Sequence, residues 1–117
     1  MEVRWEPRAA AALENIIGYR IEVAGKRSAE LLLEKIGNVV GSLARHPNMG
    51  TVETGMKGLR YEYRAFMADE IYKVIYRVGK ETVYISALFD CRRNPVKMKG
   101  EVGKQINTYD RKKTQAP

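Results

Sequence analysis

Six cations in the second half of the chain have the types and spacing to do chemistry: Arg60, Arg64, Lys73, Arg77, Arg92 and Arg93. The first four lie in "LRYEYRAF" and "EIYKVIYRV", where polar and apolar residues alternate, so an extended backbone sends their side chains out by one face. Arg92 and Arg93 follow a third such run, in the junction "ISALFDCRRNP". Guanidinium and ammonium groups converging from adjacent strands can clamp a phosphate or an acidic protein surface. The alternative use is an internal ion pair, for instance of one strand-end arginine with Asp90 or Glu62, which would lock the sheet instead.

The other reactive residues offer less. His46 is the only histidine, and with no cysteine or carboxylate cluster at ligand spacing no metal site is expected. Beside Pro47 at the end of a helix, it is placed to interact with the last carbonyls. Cys91 lacks a neighbouring base and reads as a small residue at a strand end rather than a nucleophile. Trp5 suits the core better than a partner surface, and Gly55 and Gly58 suit a turn better than a phosphate cradle. No cofactor is implied.

Composition narrows the class. The chain has 117 residues, 44% hydrophobic and 30% charged, which fits one globular α+β-sized domain with a real core. A single cysteine excludes an internal disulfide and fits a reducing compartment. With neither an apolar run of membrane-spanning length nor a signal-peptide pattern, the expected location is cytoplasmic, away from any membrane. The net charge of +7 is unevenly placed. Residues 1–90 hold thirteen Lys and Arg against twelve Asp and Glu, whereas residues 91–117 hold eight against two. Such a block attracts phosphate or an acidic protein, or serves as a solvated tail.

The elements that must position these groups can be read from periodicity. "EVRW" is a short strand, and Pro7 opens a helix whose stripe is Leu13, Ile16, Ile17, Ile21 and Ala24, with Gly25 as its stop. Ala29, Leu32, Leu33, Ile36, Val40 and Leu43 form the stripe of a second helix, with Ser28 as candidate N-cap and "RHPNMG" as its end. So short a link makes the helices antiparallel neighbours. After the loop "PNMGTVETGMKG" come three strands, the last two joined through Gly79–Glu81, with Val83, Ile85, Ala87 and Phe89 as the apolar face of the final one. The order β-α-α-β-β-β predicts an α+β fold, a mostly antiparallel four-stranded sheet with a helical hairpin on one face. The other face, carrying Arg60, Glu62, Arg64, Lys73, Arg77 and Tyr84, is expected to stay open. The domain is expected over residues 1–95, followed by a basic tail, 96–117, that folds back onto the sheet or orders against a partner.

The ordered set "WEPRAAAALENIIGYR", "LARHPNMG", "KGLRYEY", "YKVIYRV" and "VYISALFDCRRNP" resembles the RelE/ParE superfamily of bacterial type II toxins, and is most similar to its ParE and plasmid-stabilisation branch. The resemblance covers roughly residues 3 to 95 and implies a toxin neutralised by a cognate antitoxin, with operator DNA bound only through the antitoxin complex. In the ParE branch the implied target is DNA gyrase, inhibited by binding. In the RelE branch it is mRNA, cut on the ribosome. A nuclease of this fold would need a deprotonated 2′-hydroxyl, a stabilised phosphate and a protonated leaving oxygen. Many relatives carry His where Asp90 stands, so catalysis here would fall to Arg64, Lys73, Arg77 and Arg92, with a tyrosine or lysine as acid or base. Tyr61, Tyr63 or Tyr84 would stack on a base, unless Tyr61 and Tyr63 face the core. The expected target-binding set is Arg60, Arg64, Lys73, Arg77, Arg92 and Arg93, and a non-enzymatic inhibitor is the favoured reading. A family member acting only as a binding or repression partner is the third.

Overall fold

The computed structural model describes residues 1–92. Its elements are β1 (Glu2–Trp5), α1 (Pro7–Ala24), α2 (Lys26–Arg45), β2 (Thr51–Val52), a short 3-10 helix (Thr54–Met56), β3 (Arg64–Met67), β4 (Tyr72–Val78) and β5 (Thr82–Asp90). Pro7, whose missing N–H costs nothing in a first turn, starts α1. Gly25 stops it at φ 88°, a left-handed backbone that any Cβ would strain, and α2 starts on the next residue. Gly25 thus caps both helices. Ser28, the cap expected from sequence, lies inside α2, where its hydroxyl accepts from Arg20 at 3.4 Å. The hairpin folds back fully, for the Met1 ammonium donates to the Ala44 carbonyl at 3.0 Å.

The sheet has five strands rather than four, in the order β1-β5-β4-β3-β2. The extra strand comes from the stretch read as loop, where Thr51 and Val52 pair with Ala65 and Arg64. Two residues leave no periodicity to detect. Conversely, of "LRYEYRAF" only its last three residues belong to strand β3, and the residues before them form a bend and loop. β1 runs parallel to β5, and the remaining pairs are antiparallel.

On the helical side, Ala9, Leu32, Ile36, Val40 and Leu43 pack against Val74, Tyr76, Val83, Ile85 and Leu88. Burying side chains such as Leu32, Ile36 and Leu43 is worth roughly 1.5–3 kcal/mol each. Leu13, Ile16 and Ile17 border this core, but Ile21, Ala24 and Leu33 from the predicted stripes are exposed. Near the Gly25 turn, the hairpin's apolar stripe continues past the region where the sheet buries it.

The reverse face is closed, against expectation. The segment from Glu53 to Tyr63 loops over it, its ends joined by a Glu53 N–H to Tyr63 carbonyl bond of 2.9 Å. Met56, Leu59, Tyr61 and Tyr63 cover Ala65, Ile75, Ala87 and Phe89 in a second apolar cluster. A bulge explains why sequence alternation misassigned β5. Ile75 pairs with Ala87 and Tyr76 with Ile85, leaving Ser86 as one extra residue. Val83 and Ile85 therefore face the helices while Ala87 and Phe89 face the other way.

Candidate functional site

β4 does carry Lys73 and Arg77 to the reverse face, beside Ile75, but each meets a carboxylate there. Arg77 Nε donates to Glu6 Oε1 at 3.3 Å, and Ser86 Oγ donates to the same oxygen at 2.9 Å. Glu6 is fixed between β1 and α1, its own N–H bonded to the Ile85 carbonyl at 2.9 Å. The Arg77 guanidinium lies 4.2 Å from the Tyr61 ring centroid and 3.9 Å from that of Tyr84, so aromatic groups cover it as well. Arg77 and Glu6 are each only 13% exposed. Lys73 Nζ stands 2.7 Å from Glu53 Oε2, and Glu53 also accepts from the Gly55 N–H at 3.2 Å. These two cations hold the covering loop and the start of α1 against the sheet.

Arg64 belongs to the opposite side. It pairs across the strands with Tyr76, so the two side chains share the helix-facing surface. Arg64 Nη1 donates to the Gly50 carbonyl at 2.8 Å. The Tyr76 hydroxyl accepts from the Gly50 N–H at 2.9 Å and donates to the Pro47 carbonyl at 2.8 Å. Burial pushes the Tyr76 pKa above its ordinary value, although the Gly50 N–H and the Arg64 charge pull the other way. Gly50 has no alternative here, since a Cβ would stand 2.6 Å from the Tyr76 hydroxyl and 2.7 Å from the Ala65 carbonyl oxygen.

Arg92 grips Asp90 through two bonds, Nη2 to Oδ2 at 2.7 Å and Nε to Oδ1 at 2.9 Å, which raise its pKa further. Its side chain is 65% exposed, on the side of Tyr72 and Tyr19. Arg60 is exposed in the covering loop, 5.4 Å over the Tyr61 ring. Arg93 lies outside the described residues. The six cations expected to form one surface are thus dispersed: Lys73 and Arg77 under the loop, Arg64 against Gly50, Arg92 beside α1 and Arg60 at the loop surface. The sequence did offer the internal-pair alternative for Arg92 with Asp90, and that pair is present.

The remaining candidates stay quiet. Cys91 lies 3.8 Å from Met67 Sδ, and burial pushes its thiol pKa up despite Lys73, which disfavours a reactive thiolate. Among the described residues no three His, Cys, Asp or Glu gather as metal ligands, and no helix is long and apolar enough to cross a membrane. Sequence reasoning missed a groove of about 490 Å³ in which Ala11, Ala12 and Ile16 of α1 face Tyr72, Leu88 and Asp90. The one signal for it was the alanine run at 9–12, whose small side chains leave room beside the strands.

Comparison with known proteins now decides the family. The family model described as "ParE toxin of type II toxin-antitoxin system, parDE" matches residues 3–95. This chain belongs to the ParE toxin family. Among curated protein sequences none is similar enough to count as a match. Of solved structures, one described as "Chromosomal ParDE TA system from P. aeruginosa" superposes with a TM-score of 0.63 at 20% identity, covering 77% of this chain and 95% of the other. That likeness speaks for a shared ParE-like fold. Within a ParE framework, the cations on β3 and β4 of this chain act as internal ties.

Proposed function

We propose that this ParE family member is the toxin of a type II toxin-antitoxin pair, that it inhibits DNA gyrase by binding rather than by chemistry, and that a cognate antitoxin neutralises it. One observation carries the choice against RNA cleavage. A phosphate clamp needs cations free to converge on one point, yet Lys73 and Arg77 are held by Glu53 and Glu6 beneath a packed loop. Arg64 is directed to the opposite surface, so the four residues that a nuclease would need do not meet. Docking to a protein requires no such convergence. The target-contacting groups in this reading are the exposed Arg60 and Arg92, with Arg93 following in sequence. The Arg92–Asp90 pair is no obstacle, because an exposed ion pair exchanges partners at little cost. Operator DNA would be met through the antitoxin complex.

The test is a supercoiling assay with the purified full chain. Gyrase should lose activity as the protein is titrated in and regain it when the antitoxin is added. Unimpaired supercoiling at saturating protein overturns the gyrase assignment. New cleavages within codons, mapped by primer extension on translated mRNA, would establish the ribosome-dependent endoribonuclease instead, and unaffected growth on induction would leave only a binding role.

A further inference from the structure

The loop over the reverse face is fastened differently from the rest of the fold. Among the described residues its backbone bonds stay inside it: Met56 N–H to the Glu53 carbonyl at 3.1 Å, Lys57 to Thr54 at 3.3 Å and Leu59 to Met56 at 3.4 Å. The bond between Glu53 and Tyr63 closes its neck, so residues 53–63 form a self-contained Ω-loop. Side chains hold it down. Met56, Leu59, Tyr61 and Tyr63 supply the apolar contact, and the Lys73–Glu53 pair at 2.7 Å supplies the shortest polar one. Arg77, by contrast, is tied to Glu6, which lies outside the loop. The loop is also loosely filled. A cavity of about 290 Å³ runs along it, lined entirely by residues between Val52 and Tyr63 and by none from β4 or β5.

We propose that residues 53–63 are a strap that opens as one unit while the sheet stays folded, with the Lys73–Glu53 pair as its latch. Opening at the neck breaks no bond of the sheet, because β2 and β3 remain paired through Thr51–Ala65 and Val52–Arg64. The backbone groups beneath are satisfied by their own ladder, so only side chains become wet. What must be given up is the apolar contact and one ion pair, whose lysine and glutamate side chains are 20% and 16% exposed. A segment with so few ties to its surroundings belongs at the low end of a protein's range of local opening free energies. The face it uncovers has its own chemistry. Lys73 stands 5.8 Å over the Phe89 ring, beside an apolar floor of Ala65 and Ile75. Closed, the strap answers that face with the Glu53 carboxylate and the Met56 side chain; a partner competing for it must present the same two kinds of group.

The consequence is a switch between a covered and a bare sheet face, independent of which target the protein meets. The test is thiol labelling of the full chain by an aromatic disulfide reagent, with Cys91→Ser removing the one native thiol. Ala65→Cys places a thiol under the strap, and Ala9→Cys places one in the core beneath the helices. The thiol at 65 should react roughly a hundredfold faster than the one at 9, which waits for global unfolding. Glu53→Gln, which releases the latch, should speed labelling at 65 about tenfold and leave the rate at 9 nearly unchanged. If Ala65→Cys does not fold, Ile75→Cys reports on the same surface. Equal rates at the two sites overturn the proposal, as does a thiol at 65 that reacts like an unprotected one. So does a Glu53→Gln effect of the same size at both positions.

Discussion

Tyr76 shows how much one polar group can organise. Its hydroxyl receives the Gly50 N–H and gives its proton to the Pro47 carbonyl, fixing the loop that follows α2 to the middle of β4. Tyr76→Phe leaves both backbone groups without their partner and should cost about 1–3 kcal/mol, readable as a lowered urea midpoint. The pH dependence has a definite sign. Burial raises the folded-state pKa of this phenol above 10.0. Above that value the unfolded chain loses its proton first, so stability is complete below pH 10 and falls as pH rises beyond it. The alkaline decline of the midpoint should be shallower in Tyr76→Phe. At this scale the sequence placed Lys73 and Arg77 on one strand face but did not show what they hold. The counter-ions Glu6 and Glu53 lie 71 and 20 residues before their partners Arg77 and Lys73. No local pattern announces so distant a pair.

Between elements, the Arg77–Glu6 contact is a clamp, joining β4 to the junction of β1 and α1 while Tyr61 and Tyr84 close over it. Truncating Arg77 takes the opposite charge from a largely buried Glu6 carboxylate, so Arg77→Ala should destabilise the protein by on the order of 3 kcal/mol. Glu6→Gln made together with Arg77→Met should cost less than the sum of the two single changes, as a double-mutant cycle of thermal midpoints would show. The elements themselves were mostly legible. Pro7, Gly25 and the two helical stripes defined the hairpin, and Gly79–Glu81 marked the tight turn between β4 and β5. Two errors share one physical origin. Alternation assumes an unbroken ladder, and the extra residue at Ser86 breaks it, moving Ala87 and Phe89 to the face that was expected to be open. Once those residues turn outward, something apolar must cover them, and the loop with Met56 and Tyr63 does. The small polar Ser86 in the run "YISALF" was the available hint of the bulge.

For the whole molecule, the division between internal ties and exposed cations yields a separable prediction. On the proposed gyrase-binding reading, Arg60→Ala with Arg92→Ala should weaken inhibition roughly tenfold while leaving the thermal midpoint where it was. Inhibition undiminished by this pair of changes would move the contact surface elsewhere.

The order β1-β5-β4-β3-β2 has a bearing on how such a protein comes into being. Its penultimate position belongs to β5, bonded on both edges, yet among the described residues β5 is the last element made: Glu2 must wait for Thr82, and Trp5 for Ile85. A nascent polypeptide therefore carries two amphipathic helices with nowhere to lay their oily sides until nearly all of the domain has been synthesised. A product ending before Thr82 lacks the strand to which both β1 and β4 bond and on which the helices pack.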